Sequence, residues 1–108
     1  MKAGKMDRIV RIEQQVTAQD SFGEPIVTWA VLDTAWAEVS PLRASERFTS
    51  QQFSAEVDTR FRLRWRSDVD ATMRIIHDGA AYDIASVTEI GRREGIEIIA
   101  RSRVLEAI

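Results

Sequence analysis

Four arginines at alternating positions, Arg60, Arg62, Arg64 and Arg66, are the side chains best placed to do chemistry. A period of two puts all four on one face of a strand, where guanidinium groups can meet phosphates or an acidic neighbouring subunit. The plain alternative is a solvated outer face paired with acids on adjacent strands. Phe61, Leu63 and Trp65 alternate away from the arginines, towards a core. Binders of single-stranded nucleic acid instead stack bases on aromatics beside their cations. Direct nucleic-acid binding by this stripe is weakened as a reading but stays open.

Elsewhere the chain offers little to a reaction. His77 is the single histidine and stands at the end of an expected strand with no nucleophile motif near it. It reads as a structural or surface residue, not as a base. Asp58, Asp68, Asp70, Asp78 and Asp83 are scattered. Asp68 and Asp70 are spaced to touch one cation, but no glycine and no following glutamate complete a calcium loop, so a solvated turn is expected. The absence of cysteine removes disulfides and thiolate metal sites, and the five glycines stand singly, with no phosphate-binding loop. No catalytic residue, cofactor or metal is expected, and an enzyme ranks last among the readings.

A small fold must position these residues. The chain's 108 residues suffice for one domain. A chain of that size buries roughly 65% of the surface its extended form exposes. Fifteen basic residues against seventeen acidic ones give a net charge of −2, unlike a strongly basic nucleic-acid binder. The opening MKAGKMDRIVRIEQQ has two lysines but no apolar run after them, and no stretch approaches a membrane span. A soluble protein made in the cytoplasm, without a membrane partner, is the expectation.

The apolar period is two over most of the length. A first strand is expected over 8–16, with Val10, Ile12 and Val16 on one face. Turn formers follow at Asp20-Ser21-Phe22-Gly23-Glu24-Pro25. A second strand over 26–32 groups Val27, Trp29 and Val31, and Asp33-Thr34 is expected to turn it tightly into a third over 35–40, holding Trp36 and Val39. Further strands are expected over 60–66, 73–77, 81–87 and 95–101, with Asp78-Gly79 as a hairpin turn. The fold class is therefore all-β, a small antiparallel β-barrel or sandwich of six to seven strands, in one domain over 1–108 with a flexible N-terminus over 1–7. The partly apolar tail over 104–108 is free to pack back or to meet a neighbour.

Residues 41–58, PLRASERFTSQQFSAEVD, break the pattern. A connection of this length is uncommon unless it is functional or disordered. Ser45 is able to cap a short helix there, although the apolar spacing is poor. Phe48 and Phe53, apolar residues in a polar loop, favour a segment that orders against a partner.

Read end to end, the string resembles the head–tail joining proteins of tailed phages, the head-closure, adaptor or stopper family also found in prophages and gene transfer agents. The likeness begins with Arg8-Ile9-Val10-Arg11-Ile12, the turn at 20–25 followed by Trp29, and Ala35-Trp36-Ala37-Glu38-Val39. It continues through Pro41-Leu42-Arg43 with Glu46, then Arg62-Leu63-Arg64-Trp65-Arg66, Met73-Arg74-Ile75 and Asp78-Gly79. Tyr82-Asp83-Ile84 and Glu97-Ile98-Ile99 complete it. No motif is specific alone; their order and spacing over about 90 residues carry the match. His77 departs from the pattern, standing where an aromatic is expected, and the 41–58 loop has its own composition.

The resemblance implies a structural protein of the virion that joins a ring at the head–tail junction. The ring would sit under the portal, close the DNA-filled capsid and dock the tail. The implied partners are the portal or adaptor ring, tail proteins and further copies of the chain, with packaged DNA passing through the ring non-specifically. The free protein is expected to be a monomer, since a loop that must order lowers affinity until a template offsets the cost. The loop would face the channel and help retain DNA, with Arg43, Glu46 and Arg47 setting register between neighbours and Phe48 and Phe53 in contact. Two rivals remain: a small nucleic-acid-binding β-barrel using Arg60, Arg62, Arg64 and Arg66, and another tail-completion subunit on a similar barrel.

Overall fold

The computed structural model describes residues 3–42 and 58–103, which form six antiparallel strands after a single 3-10 turn at Ala3–Lys5. The strands are β1 (Arg8–Gln19), β2 (Pro25–Pro41), β3 (Thr59–Arg64), β4 (Arg74–His77), β5 (Ala80–Ile90) and β6 (Gly95–Arg103). They close in the order β1-β2-β3-β6-β5-β4, with β4 returning to β1 over three register pairs, from Arg11↔Ile76 to Glu13↔Arg74. The expected small β-barrel is the fold observed. Closure leaves the barrel itself without an open sheet edge, the usual liability of an all-β domain.

Alternation fills the interior. Phe61 and Leu63 of β3 stand opposite Ile98 and Ile96 of β6, and all four are buried with Val10, Ile12, Ile75 and Ala100. Full burial of one such large side chain stabilises the fold by about 1.5–3 kcal/mol. Tyr82 and His77 lie edge-on and tilted around Phe61, with the Tyr82 ring 5.0 Å from it. His77 is thus a packing residue at the end of β4, in keeping with the structural reading. The next two residues, Asp78 at φ 51° and Gly79 at φ 78°, make the two-residue turn into β5. Both central residues of a primed turn need positive φ, which is why Asp-Gly occurs there.

Two details of the sequence reading change. The expected turn at Asp33-Thr34 does not exist: the second and third strands are one strand, β2, paired with β1 from Pro25 to Ala37. Asp33 does form a local hydrogen bond, accepting from the Thr34 N–H at 2.8 Å, but not the bond to the second residue on that an Asx turn makes. The chain continues, because the register slips from Ile12↔Asp33 to Glu13↔Val31, making Leu32 the extra residue of a β-bulge. A bulge bends a strand and raises its twist without reversing it. The second change concerns β3, which ends at Arg64, so that Trp65 and Arg66 belong to the following turn and the arginine stripe is three residues of strand plus one of loop.

Candidate functional site

The β1–β2 hairpin is longer than the barrel that holds it. Within the barrel β1 is flanked by β4 only over 11–13, and β2 by β3 only over 37–41. Residues 14–19 and 25–30 pair with each other and with nothing else, forming a two-stranded arm. Six residues of strand extend about 20 Å. That length matches the excess of the 48 Å long axis over the 27 and 24 Å cross-sections.

The tip of the arm is built, not slack. Asp20 accepts hydrogen bonds through Oδ1 from the N–H groups of Phe22 (2.8 Å) and Glu24 (2.9 Å), and its carbonyl accepts from Gly23 at 3.1 Å. Gly23 supplies the positive φ, 82°, that closes this turn. The result holds Phe22 out from the turn with 90% of its surface in solvent. Asp20 and Glu24 are the only charges between residues 14 and 30.

Its base is clamped. Glu13 is a buried carboxylate whose Oε1 accepts from Arg74 Nε at 2.7 Å and whose Oε2 meets Arg11 Nε at 2.8 Å. The Arg74 guanidinium also lies 4.3 Å over the ring of Trp29, which stands on β2 on the far side of β1. A carboxylate between two guanidinium groups has its lone pairs satisfied where solvent is scarce. This cluster joins β1, β4 and β2 where the arm leaves the barrel.

One side of the hairpin is an apolar stripe. Period two, shifted by one at the Leu32 bulge, places Ile9, Trp36, Val31, Trp29 and Val27 on the outer face, with Ile9 and Trp36 as direct register partners. All but Trp29 are exposed. Arg11 and Thr34 separate the Ile9–Trp36 pair from Val31, Trp29 and Val27. Exposed apolar groups gathered on one face mark an interaction surface.

Where β2 parts from β3, a groove opens. The last pair is Ala37↔Leu63; beyond it the strands diverge around a cavity of about 380 Å³ lined by Ala35, Trp36, Leu63, Arg64, Trp65 and Arg66. Arg66 bridges the far end, 3.2 Å from Asp33 on β2 and 2.6 Å from Asp68. The hydrogen bonds that Arg66 donates to Asp68 hold its guanidinium above its ordinary pKa and push the Asp68 carboxyl below the usual carboxylate range. Arg93 covers Trp65 at 4.9 Å. Arg64 is exposed at the rim and forms no ion pair among the described residues.

The arginine stripe is therefore mostly neutralised. Arg62 meets Glu97 on β6 at 3.2 Å, Arg60 approaches the same carboxylate at 3.6 Å and donates to Ser40 Oγ, and Arg66 is held as described. Only Arg64 presents an uncompensated charge among these four. Arg43, Glu46, Arg47, Phe48 and Phe53 lie outside the described residues, whose edges at the loop are tied by the Leu42 N–H to the Asp58 carbonyl at 3.0 Å. Among the described residues no group of three or more His, Asp or Glu is arranged to hold a metal, and no helix is long and apolar enough to cross a membrane. Sequence reasoning missed the arm and the groove. The available signal was length: the pairable runs before and after the turn at 20–25 exceed what flanking strands of four and six residues cover.

Comparisons with known proteins agree with this architecture. The solution structure of protein SF1141 from Shigella flexneri 2a superposes with a TM-score of 0.82 at 26% identity, covering 98% of this chain and all of that one. A chain from the virion of a native gene transfer agent particle matches with a TM-score of 0.59 at 24% identity, over 92% of this chain and 96% of that one, a likeness of fold. No match is found among curated proteins. A family model for the phage head completion protein matches residues 1–103, and with nearly the whole chain covered the protein belongs to that family, a structural component of head completion.

Proposed function

We propose that the protein completes the head by joining a ring at the head–tail junction beneath the portal, closing the filled capsid and offering the surface on which the tail docks. The observation that carries this reading is the clamped arm with its apolar stripe. A monomer gains nothing from an anchored hairpin that leaves Phe22, Val27, Val31 and Trp36 in water, whereas an assembly subunit buries them against neighbours. The arm lacks lysine and arginine, so its partners are protein surfaces and not nucleic acid.

The long loop leaves β2 after Pro41, which the structure makes a strand residue paired with Thr59, at the end opposite the arm. In this reading that loop faces the channel, with Arg43, Glu46, Arg47, Phe48 and Phe53 meeting neighbouring copies and retaining DNA that passes non-specifically. The free subunit is a monomer made in the bacterial cytoplasm, and it joins only when the portal or adaptor ring offers a template. The nucleic-acid-binding alternative loses weight because Arg60, Arg62 and Arg66 already face carboxylates.

Light scattering of the pure protein, alone and with purified portal complex from the same element, tests the proposal. A monomer that joins the portal in ring stoichiometry is the expected result. A protein that ignores the portal and binds DNA, or binds only completed tails, overturns it in favour of a nucleic-acid module or a tail-completion subunit.

A further inference from the structure

The arm tip and the groove are complementary in shape class and in charge. Phe22 stands fully presented between two carboxylates, Asp20 and Glu24. The groove has an apolar lining from Ala35, Trp36, Leu63 and Trp65 and carries Arg64, with Arg93 covering Trp65; its one acid, Asp33, is neutralised by Arg66 at 3.2 Å. The one uncompensated arginine of the stripe is thus at the mouth of the cavity, while the only charges on the arm flank its single exposed phenylalanine.

A subunit cannot satisfy this match itself. Pro25 at the arm's end and Asp33 at the groove are eight residues apart on one hydrogen-bonded strand, roughly 26 Å at strand rise, and the strand does not fold back. We propose that the tip of one copy docks in the groove of the next, Phe22 entering between Trp36 and Trp65 while Glu24 and Asp20 meet Arg64. This rests on the head-completion reading and names the contact by which the ring would be built. Each copy then gives one tip and receives one, a heterologous contact that closes into a ring when the rotation per step divides a full turn. A second copy is favoured over a different protein because both halves of the match are in one chain. Nucleic acid is disfavoured by the two carboxylates at the tip.

Two experiments on the full chain test it. In the first, Phe22 is replaced by the photo-crosslinker benzoylphenylalanine, and isotope-labelled and unlabelled copies are mixed before particles are assembled. Crosslinks between copies, from position 22 to residues 33–36 or 63–66, are expected; crosslinks to another protein, to DNA or elsewhere on the chain overturn the proposal. In the second, Glu24→Arg and Arg64→Glu are each expected to lower incorporation into particles at least tenfold, and the double variant to recover to within about threefold of the unmodified protein. Singles without effect, or a double variant no better than either single, overturn it. Thermal melting of Phe22→Ala unchanged from the parent establishes that the tip is not needed for folding. The two readings fail separately: a protein found at the junction with no tip-to-groove crosslink sinks the contact alone. Concentrated free protein that crosslinks tip to groove, yet is missing from the junction, leaves the contact and removes the ring beneath the portal.

Discussion

The inner and outer halves of the β1–β2 hairpin carry the same alternation and meet opposite fates. In the inner half Val10, Ile12 and Ala37 are fully buried, because β3 and β4 flank the pair and the barrel closes over them. In the outer half Val16 lies on the same face of β1 as Val10 and Ile12, yet it stays exposed, as do Ile26 and Val27 on the partner strand. Apolar residues stand on that face in both halves, although Gln14 and Thr28 join them in the outer one. What differs is the number of strands alongside, so alternation encodes a two-faced strand and leaves open what covers its apolar face.

Substitutions sharpen that contrast. Phe61→Ala should produce the largest effect, about 3–5 kcal/mol of lost stability from an emptied barrel centre, measured by urea unfolding of the variant beside the parent. A cost below about 1 kcal/mol would mean that the barrel does not rely on that ring. At the boundary between the halves, Glu13→Gln leaves Arg74 and Arg11 facing a neutral amide. We expect about 1–3 kcal/mol of destabilisation, together with faster amide exchange in residues 14–19 than in β6. Equal exchange in arm and barrel would contradict the clamp.

A smaller effect comes with alkali. Burial first, and then the charges of Asp58 and Asp78, raise the Tyr82 phenol above its ordinary pKa of 10.0. The folded state therefore holds this proton after the unfolded chain has released it. Its contribution is intact below the unfolded pKa and is lost as pH rises through the folded one. Tyr82→Phe should flatten the fall of melting temperature with pH in that window, and an unchanged slope would remove Tyr82 as its source. The smallest effect belongs to Phe22→Ala, within about 0.5 kcal/mol of the parent, since an exposed side chain loses no packing. A large loss there would erase the distinction between the halves.

Much of the barrel was legible in the sequence. The alternation of Phe61, Leu63, Ile96 and Ile98 identified core strands, and Asp78-Gly79 identified its turn by the chemistry of positive φ. Asp33-Thr34 misled because aspartate is a turn former by type, while the outcome was decided by pairing to β1 some twenty residues earlier. The fate of the arginine stripe depended on Glu97, distant in sequence and adjacent only through the β3–β6 register. The groove was hidden for the same reason, since its walls come from two strands that stop pairing.

β2 also has a mechanical meaning. It is one uninterrupted strand of 17 residues, with the arm at its first residues and Pro41, the last residue before the long loop, at its other end. Tension applied at Pro41 runs along the backbone towards the tip and is shared by twelve register pairs with β1 and five with β3. Loaded lengthwise, those pairs resist together in shear instead of opening one by one. The strand has the geometry of a tie rod, one covalent line from the arm to the end where the long loop begins.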